Sequence, residues 1–261
     1  MSCRSRFVSI TFLVFACSSS LLSQTNPSSD PSAVAMAIRS HAAMTQGTAI
    51  SDVSLTANIT WIAGPEPEAG AGDLLAKGSS ESRIDFSLNG GGKRTEIRNS
   101  FHGPMGKWIN PDGKSGKYAL HNCWTDAVWF FPALSSLASL ADPRFVFSYI
   151  GEERWNGLSS KHVRIYQVQQ GFNEAQHLST MDFYLDPTSL LPLGVAYKTH
   201  SDSNMNVDIS SEVRFDDYRL TNGVLLPFHI QRLQGGALLM DIAVTGAHFN
   251  TGVPNETFDT N

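Results

Sequence analysis

Residues 206–230 read NVDISSEVRFDDYRLTNGVLLPFHI, and their period decides the fold class. Val207, Ile209, Val213 and Phe215 fall on one face of an extended chain, with Asp208, Ser210, Glu212 and Arg214 on the other. Side chains alternate across a strand, so this pattern describes a strand with one face buried and one in water. It is interrupted at Asn222-Gly223, residue types that accept the positive φ of a tight hairpin. The chain therefore reverses there and builds an antiparallel sheet.

Working outward, the meander extends from Leu178 to Phe249, with further reversals at Asp186-Pro187 and Gly235-Gly236. Strands are also predicted upstream. Val53–Ala63 is rich in β-branched and aromatic residues, and Leu74–Leu88 alternates Ile84, Phe86 and Leu88 with Arg83, Asp85 and Ser87. Residues 64–73 (GPEPEAGAGD) read as a loop by their Gly and Pro content. Asn89-Gly90-Gly91-Gly92 turns the chain into KRTEIRN, and Asn110-Pro111-Asp112-Gly113 marks another hairpin. Further strands are expected at Phe145–Ile150 and Lys161–Tyr166, joined through Trp155-Asn156-Gly157.

Two segments break the β pattern. From Ser32 to about Met44 the Ala-rich run predicts an N-terminal helix, with Ser32 as a candidate cap and Gly47 as its end. Residues 124–143 (WTDAVWFFPALSSLASLADP) hold the densest apolar cluster of the chain, Trp124, Val128, Trp129, Phe130 and Phe131. Pro132 is placed to open a helix there and Pro143 to end it, with Leu134, Leu137 and Leu140 recurring every three residues.

Arg4 and Arg6 followed by the apolar run Phe7–Ala16 have the form of a secretory signal peptide. The run is shorter than the roughly 20 residues that span a bilayer. Cleavage near Ser23-Gln24 would free the protein. Val14-Phe15-Ala16-Cys17 also resembles a degenerate bacterial lipobox, in which Cys17 would be lipidated and anchor the chain to the outer membrane. The expected organisation is a signal peptide over 1–23, a Pro/Ser-rich linker over 24–31 and one domain over 32–261, exported to the periplasm. Cys123 is then the one cysteine certain to remain, which leaves stability to the core and reads as a buried structural thiol.

A net charge of −5 and the lack of a basic cluster argue against nucleic acid as a partner. The eight histidines are scattered without a metal-ligand spacing. Asp216-Asp217 and Glu152-Glu153 are neighbours whose side chains point to opposite faces of a strand, so neither pair forms an acid–base dyad by itself. No catalytic residue, metal or cofactor is expected, and the protein is expected to be a monomer.

The late-chain residues carry a resemblance. Asp182-Phe183-Tyr184-Leu185-Asp186-Pro187 is followed by Leu191-Pro192-Leu193 and by Phe215-Asp216-Asp217-Tyr218-Arg219. Asn222–Ile230 and Ala247-His248-Phe249-Asn250 before Phe258 complete the succession, about half of the chain. It resembles the LolA/LolB-like superfamily of bacterial envelope proteins, which includes lipoprotein carriers, and within it a secreted branch distinct from the classical carriers. The resemblance implies a mainly β (α+β) fold: a curved, half-open antiparallel β-barrel with an N-terminal helix and a helical lid around residues 125–142. It further implies non-enzymatic binding of a lipid, or of the acyl chain of a lipoprotein, with an envelope protein as a second candidate partner. The ligand-binding candidates are Trp129, Phe130, Phe131, Leu134, Leu137 and Leu140, as the part of the lid that lines a cavity for an acyl chain or other apolar ligand. Ordinary core packing is the competing reading of these six. An interaction or sensor module on the same barrel and a secreted hydrolase are the alternative functions.

Overall fold

A computed structural model describes residues 27–64, 66–101 and 103–260. The signal-peptide reading and Cys17 lie outside the described residues. The helix α1 (Pro31–Thr45) comes first. Its cap is Asp30, whose carboxylate accepts from Ser32 N at 2.8 Å, so the start lies two residues before the predicted cap. Gln46 (φ 50°) ends it ahead of Gly47 (φ 82°).

Six strands follow: β1 (Asp52–Trp61), β2 (Glu68–Lys77), β3 (Glu81–Leu88), β4 (Lys93–Asn99), β5 (Met105–Ile109) and β6 (Ser115–Lys117). After a long connector come β7 (Phe145–Trp155), β8 (Leu158–Gln167), the short helix α2 (Ala175–Ser179), β9 (Met181–Leu185), β10 (Pro192–Ser201), β11 (Asn204–Thr221), β12 (Val224–Gln234) and β13 (Ala237–Phe249). The turns at Asn156-Gly157, Asn222-Gly223 and Gly235-Gly236 all hold positive φ, matching the right-handed twist of the strands they join.

The region 64–88 differs from its sequence reading in two ways. Residues 68–73 belong to β2, and the single strand expected over 74–88 is cut by a turn around Gly78 (φ 52°). Glycine in this strand reflects close packing: a Cβ on Gly70 would lie 1.9 Å from Ser87 O, and one on Gly72 2.3 Å from Ile59 Cδ1.

All thirteen strands form one antiparallel sheet in the order β6-β5-β4-β3-β2-β1-β13-β12-β11-β10-β9-β8-β7. Every neighbour is consecutive in sequence except β1 and β13, which pair at the middle of the sheet. Its two edges, β6 and β7, are therefore joined by residues 118–144, and the sheet is not closed between them. Arg232 on β12 meets Glu96 on β4 at 3.2 Å, although five strand steps separate them. On a flat sheet that separation would be about 24 Å. The sheet is curved into a half-open barrel, and the connector between its edges has to cross the mouth.

The inner face carries the main core: Val53, Leu55 and Ile59 of β1, Ile84 and Phe86 of β3, Val213 and Phe215 of β11, Ile230 of β12 and Ile242 of β13, among others. Ala33, Ala37, Ser40 and Met44 form the buried stripe of α1, spaced for one helical face. The chain after β13 packs Val253 and Phe258 against Ile97, forming a small second core. Among the described residues no helix is long and apolar enough to cross a membrane.

Candidate functional sites on the inner and outer faces

The connector enters the barrel mouth as a plug. A 3₁₀ turn, Leu120–Cys123, docks first on β10: Asn122 accepts from His200 N at 2.7 Å and donates to His200 O at 2.9 Å. Cys123 is buried, as its sequence reading expects. The region expected to be a helix between Pro132 and Pro143 instead forms two 3₁₀ turns, Pro132–Leu134 and Ser136–Ala138, separated by an extended Ser135. Ser135 and Ser136 cause the break. The Ser135 hydroxyl donates to Pro132 O and accepts from Leu137 N, and Ser136 donates from N and Oγ to Asp126 at 3.0 and 2.9 Å. Such side-chain bonds compete with the α-helical ladder. The leucine period of three is itself the period of a 3₁₀ turn.

Trp129, Phe130, Phe131, Leu134 and Leu137 are all buried in the main core, and Leu140 is partly buried against it. Trp129 meets Phe130 edge-on at 5.7 Å, and Arg232 lies over the Trp129 ring at 4.8 Å. Phe131 approaches Phe249 at 6.0 Å. The six sequence candidates are thus brought together against the concave face, where they occupy the interior of the half-barrel. Polar anchors hold the plug's first half: Ser82 Oγ donates to Ala127 O at 2.7 Å, and Arg98 Nη2 donates to Thr125 O at 3.1 Å. Burial pushes the Asp126 carboxyl up to about 6, against the Ser136 bonds and Arg98, which favour its ionised form. A small cavity of about 120 Å³ lies beside the plug, with Trp124, Thr125, Asp126 and Ser136 in its wall.

The outer face over β7–β11 is polar. His162 is buried between Glu153 and Asp182, and Arg164 donates to Asp182 at 2.7 Å. Burial tends to raise the Asp182 carboxyl, but hydrogen bonds from His162 and Arg164 leave it below its ordinary value. Trp155 stacks on Tyr184 at 4.9 Å and lies over Gly194, where a Cβ would come within 2.2 Å of the indole. Burial pushes the Tyr184 phenol up to about 12. A cavity of about 440 Å³ opens here, lined by Arg164, His177, Asp182, Tyr184, Lys198 and Asp208 among others.

At one end of that cavity the fold joins three side chains that sequence spacing leaves apart. His200 and Asp208 are cross-strand partners on β10 and β11, and His177 reaches them from α2. The distances are 3.2 Å between the two Nε2 atoms, 3.1 Å from His177 Nε2 to Asp208 Oδ1, and 3.4 Å from His200 Nε2 to the same oxygen. Burial, then the neighbouring His177, push the His200 imidazole below its ordinary value despite Asp208. His121 stands edge-on to His200 at 5.9 Å, its Nε2 3.0 Å from Ser201 O. The signal available in sequence is partial: a hairpin around 201–204 places His200 near Asp208, but nothing local announces His177.

The chain matches no family model and no curated protein by sequence. Solved structures match its shape. A Vibrio parahaemolyticus domain assigned to outer membrane lipoprotein sorting has a TM-score of 0.55 at 11% identity, covering 87% of this chain and 96% of that one. A DUF1329 family protein from Desulfovibrio piger gives 0.55 at 11% identity, covering 90% and 98%. A LolA superfamily protein from Nitrosomonas europaea gives 0.54 at 8% identity, covering 87% and 97%. The half-barrel that the late-chain residues resemble is the fold this chain has.

Proposed function

We propose that the protein is an exported, non-enzymatic binding protein of the bacterial envelope. It takes a lipid, or the acyl chain of a lipid-modified protein, onto the concave face of its sheet. The observation that carries this reading is the plug. A connector without a continuous helix, rich in large apolar side chains, fills the inner face of a sheet left open at both edges. The fold shared with a domain assigned to lipoprotein sorting supports the same reading.

In this mechanism Trp129, Phe130, Phe131, Leu134, Leu137 and Leu140 cover the inner face in the free protein and line the ligand once the connector shifts outward. Binding exchanges plug-to-sheet contacts for ligand-to-sheet contacts. An acyl chain contributes roughly 0.8 kcal/mol per buried methylene, which is set against the aromatic packing it displaces. Two short turns with few ladder bonds move at lower cost than one continuous helix. The ligand side of the exchange is non-directional, so chain length matters more than headgroup. Export follows from the signal-peptide reading of residues 1–23, with Cys17 as the lipidation site if the lipobox is used.

Native mass spectrometry of protein gently purified from a bacterial envelope, before and after organic extraction, tests this. A co-purifying acyl species that extraction removes is expected, or uptake of a fluorescent fatty acid by the extracted protein. A clean apo mass with no fatty-acid uptake overturns the reading and moves attention to an envelope protein partner. The same spectrum reports the mass of any lipid on Cys17.

A further inference from the structure

We propose that His177, His200 and Asp208 form a binding site for a divalent transition-metal ion of the zinc class on the outer face of the sheet. Two imidazole nitrogens and one carboxylate oxygen converge there, with the three pairwise distances at 3.1, 3.2 and 3.4 Å. Ligands at about 2.0–2.1 Å from a tetrahedral ion lie about 3.3–3.4 Å apart, and cis ligands of an octahedral ion about 2.9 Å. The observed triangle lies between these, nearer the tetrahedral value.

Protons alone satisfy the arrangement poorly. A neutral imidazole offers one N–H or one lone pair at Nε2, so rings that both donate to Asp208 leave the 3.2 Å contact between the two Nε2 atoms without a hydrogen bond. A cation in the middle serves all three. The buried His200 Nδ1 has no hydrogen-bond partner, so every polar contact of that ring runs through Nε2 towards the other two donors. The donor set also fits the ion class, since imidazole with one carboxylate suits zinc and its neighbours better than calcium or magnesium.

The scaffold fixes the site. His200 is held by the paired hydrogen bonds of Asn122 to its backbone, and Asp208 lies opposite it in the ladder. Beyond that pair the register jumps to Ser201 opposite Asn204, an irregularity of the kind that re-aims side chains. The helix carrying His177 is anchored by the buried Ala175 and Leu178. Only His200 is fully enclosed: the side chains of His177 and Asp208 are 45% and 39% exposed. A fourth position therefore opens towards solvent and the adjoining cavity, available to water or an anionic ligand. The proposal is independent of any ligand on the inner face.

The test uses untagged protein stripped with a chelator and titrated with Zn²⁺ against a chromophoric competitor, then with Co²⁺ in the visible range. One equivalent of tight binding is expected, with Co²⁺ absorption of tetrahedral or five-coordinate strength. His177→Ala and Asp208→Asn alter half-exposed side chains, so both should fold, as checked by circular dichroism. Each is expected to weaken binding by at least tenfold to a hundredfold. His248→Ala, a change of an exposed histidine elsewhere, should leave it unaltered. Absence of saturable binding at one equivalent, or equal binding in all the variants, overturns the proposal.

Discussion

The two faces of the sheet solve opposite problems with the same strands. Inside, the curvature gathers Phe86, Phe215, Ile230 and the plug's Trp129, Phe130 and Phe131 into one contiguous apolar core. Outside, β7–β11 present Glu153, His162, Asp182, Arg164 and the His177–His200–Asp208 triad, linked by hydrogen bonds and ion pairs. The inner face is held by area and shape, which any apolar occupant of the right size can supply. The outer face depends on fixed directions and distances. On the functions proposed above, the inner face exchanges one apolar body for another and the outer face holds a small charged ligand.

The largest expected effect tests the inner half of that comparison. Phe130 is fully buried within the plug, and Phe130→Ala removes a ring from a packed interior. The expected cost is about 3–5 kcal/mol, read as a lowered midpoint of urea unfolding. Leu220→Ala, at a residue 67% exposed, should change stability by less than about 0.5 kcal/mol. If Phe130→Ala proved equally mild, the plug would not be part of the core, and the contrast between the faces would fail.

A second prediction concerns the ion pair that, among the described residues, reaches across the interior. Arg232 meets Glu96 at 3.2 Å, with side chains only 23% and 19% exposed, beneath Trp129. Arg232→Met leaves Glu96 unpaired and removes the cation from the indole face. A loss of about 3 kcal/mol is expected, the low end for a buried pair because this one retains some solvent. Glu96→Leu combined with Arg232→Met should recover most of it. A double variant as unstable as the single one would show that the pair contributes more than its charges, for instance by positioning Trp129.

These contrasts mark what the sequence could disclose. The alternation around Val213 and Phe215 and the Asn-Gly and Gly-Gly turns are local, so the sheet was legible from them. The run Trp129-Phe130-Phe131 was legible as a body for the inner face, since it sets three aromatic side chains in succession. The form of the plug was not. Leucines every three residues describe a helical face, whereas Ser135 and Ser136 divert backbone hydrogen bonds and leave two 3₁₀ turns. Residues 68–73 looked like a loop because glycine content does not distinguish flexibility from close strand contact at Gly70 and Gly72. The outer histidines were the least legible. Their meeting depends on a hairpin register and on where α2 crosses the sheet, which no short motif encodes.

The smallest expected effect concerns Asp126, where the apolar plug meets a titratable group. Its carboxyl is pushed up to about 6 by burial, although Ser136 donates two hydrogen bonds to it. In the unfolded chain the same group titrates near 3.8. Between these values the folded state binds more protons than the unfolded one, so this group's contribution to stability falls as pH rises from about 4 to about 6. Asp85, Asp182 and Asp186 have lowered values, so their contributions are lost only as pH falls below about 4. The two classes therefore separate along the pH axis. Asp126→Asn keeps an acceptor for Ser136 N and removes the charge, so the variant should lose the part of the pH 4–6 slope that wild type shows in thermal melts. Because the carboxyl braces the second turn of the plug, fatty-acid uptake by wild type should also be faster at pH 7.5 than at pH 5, with a smaller difference in Asp126→Asn. Identical pH profiles for the two proteins would remove Asp126 as the plug's titrating brace and leave the plug governed by apolar contact alone.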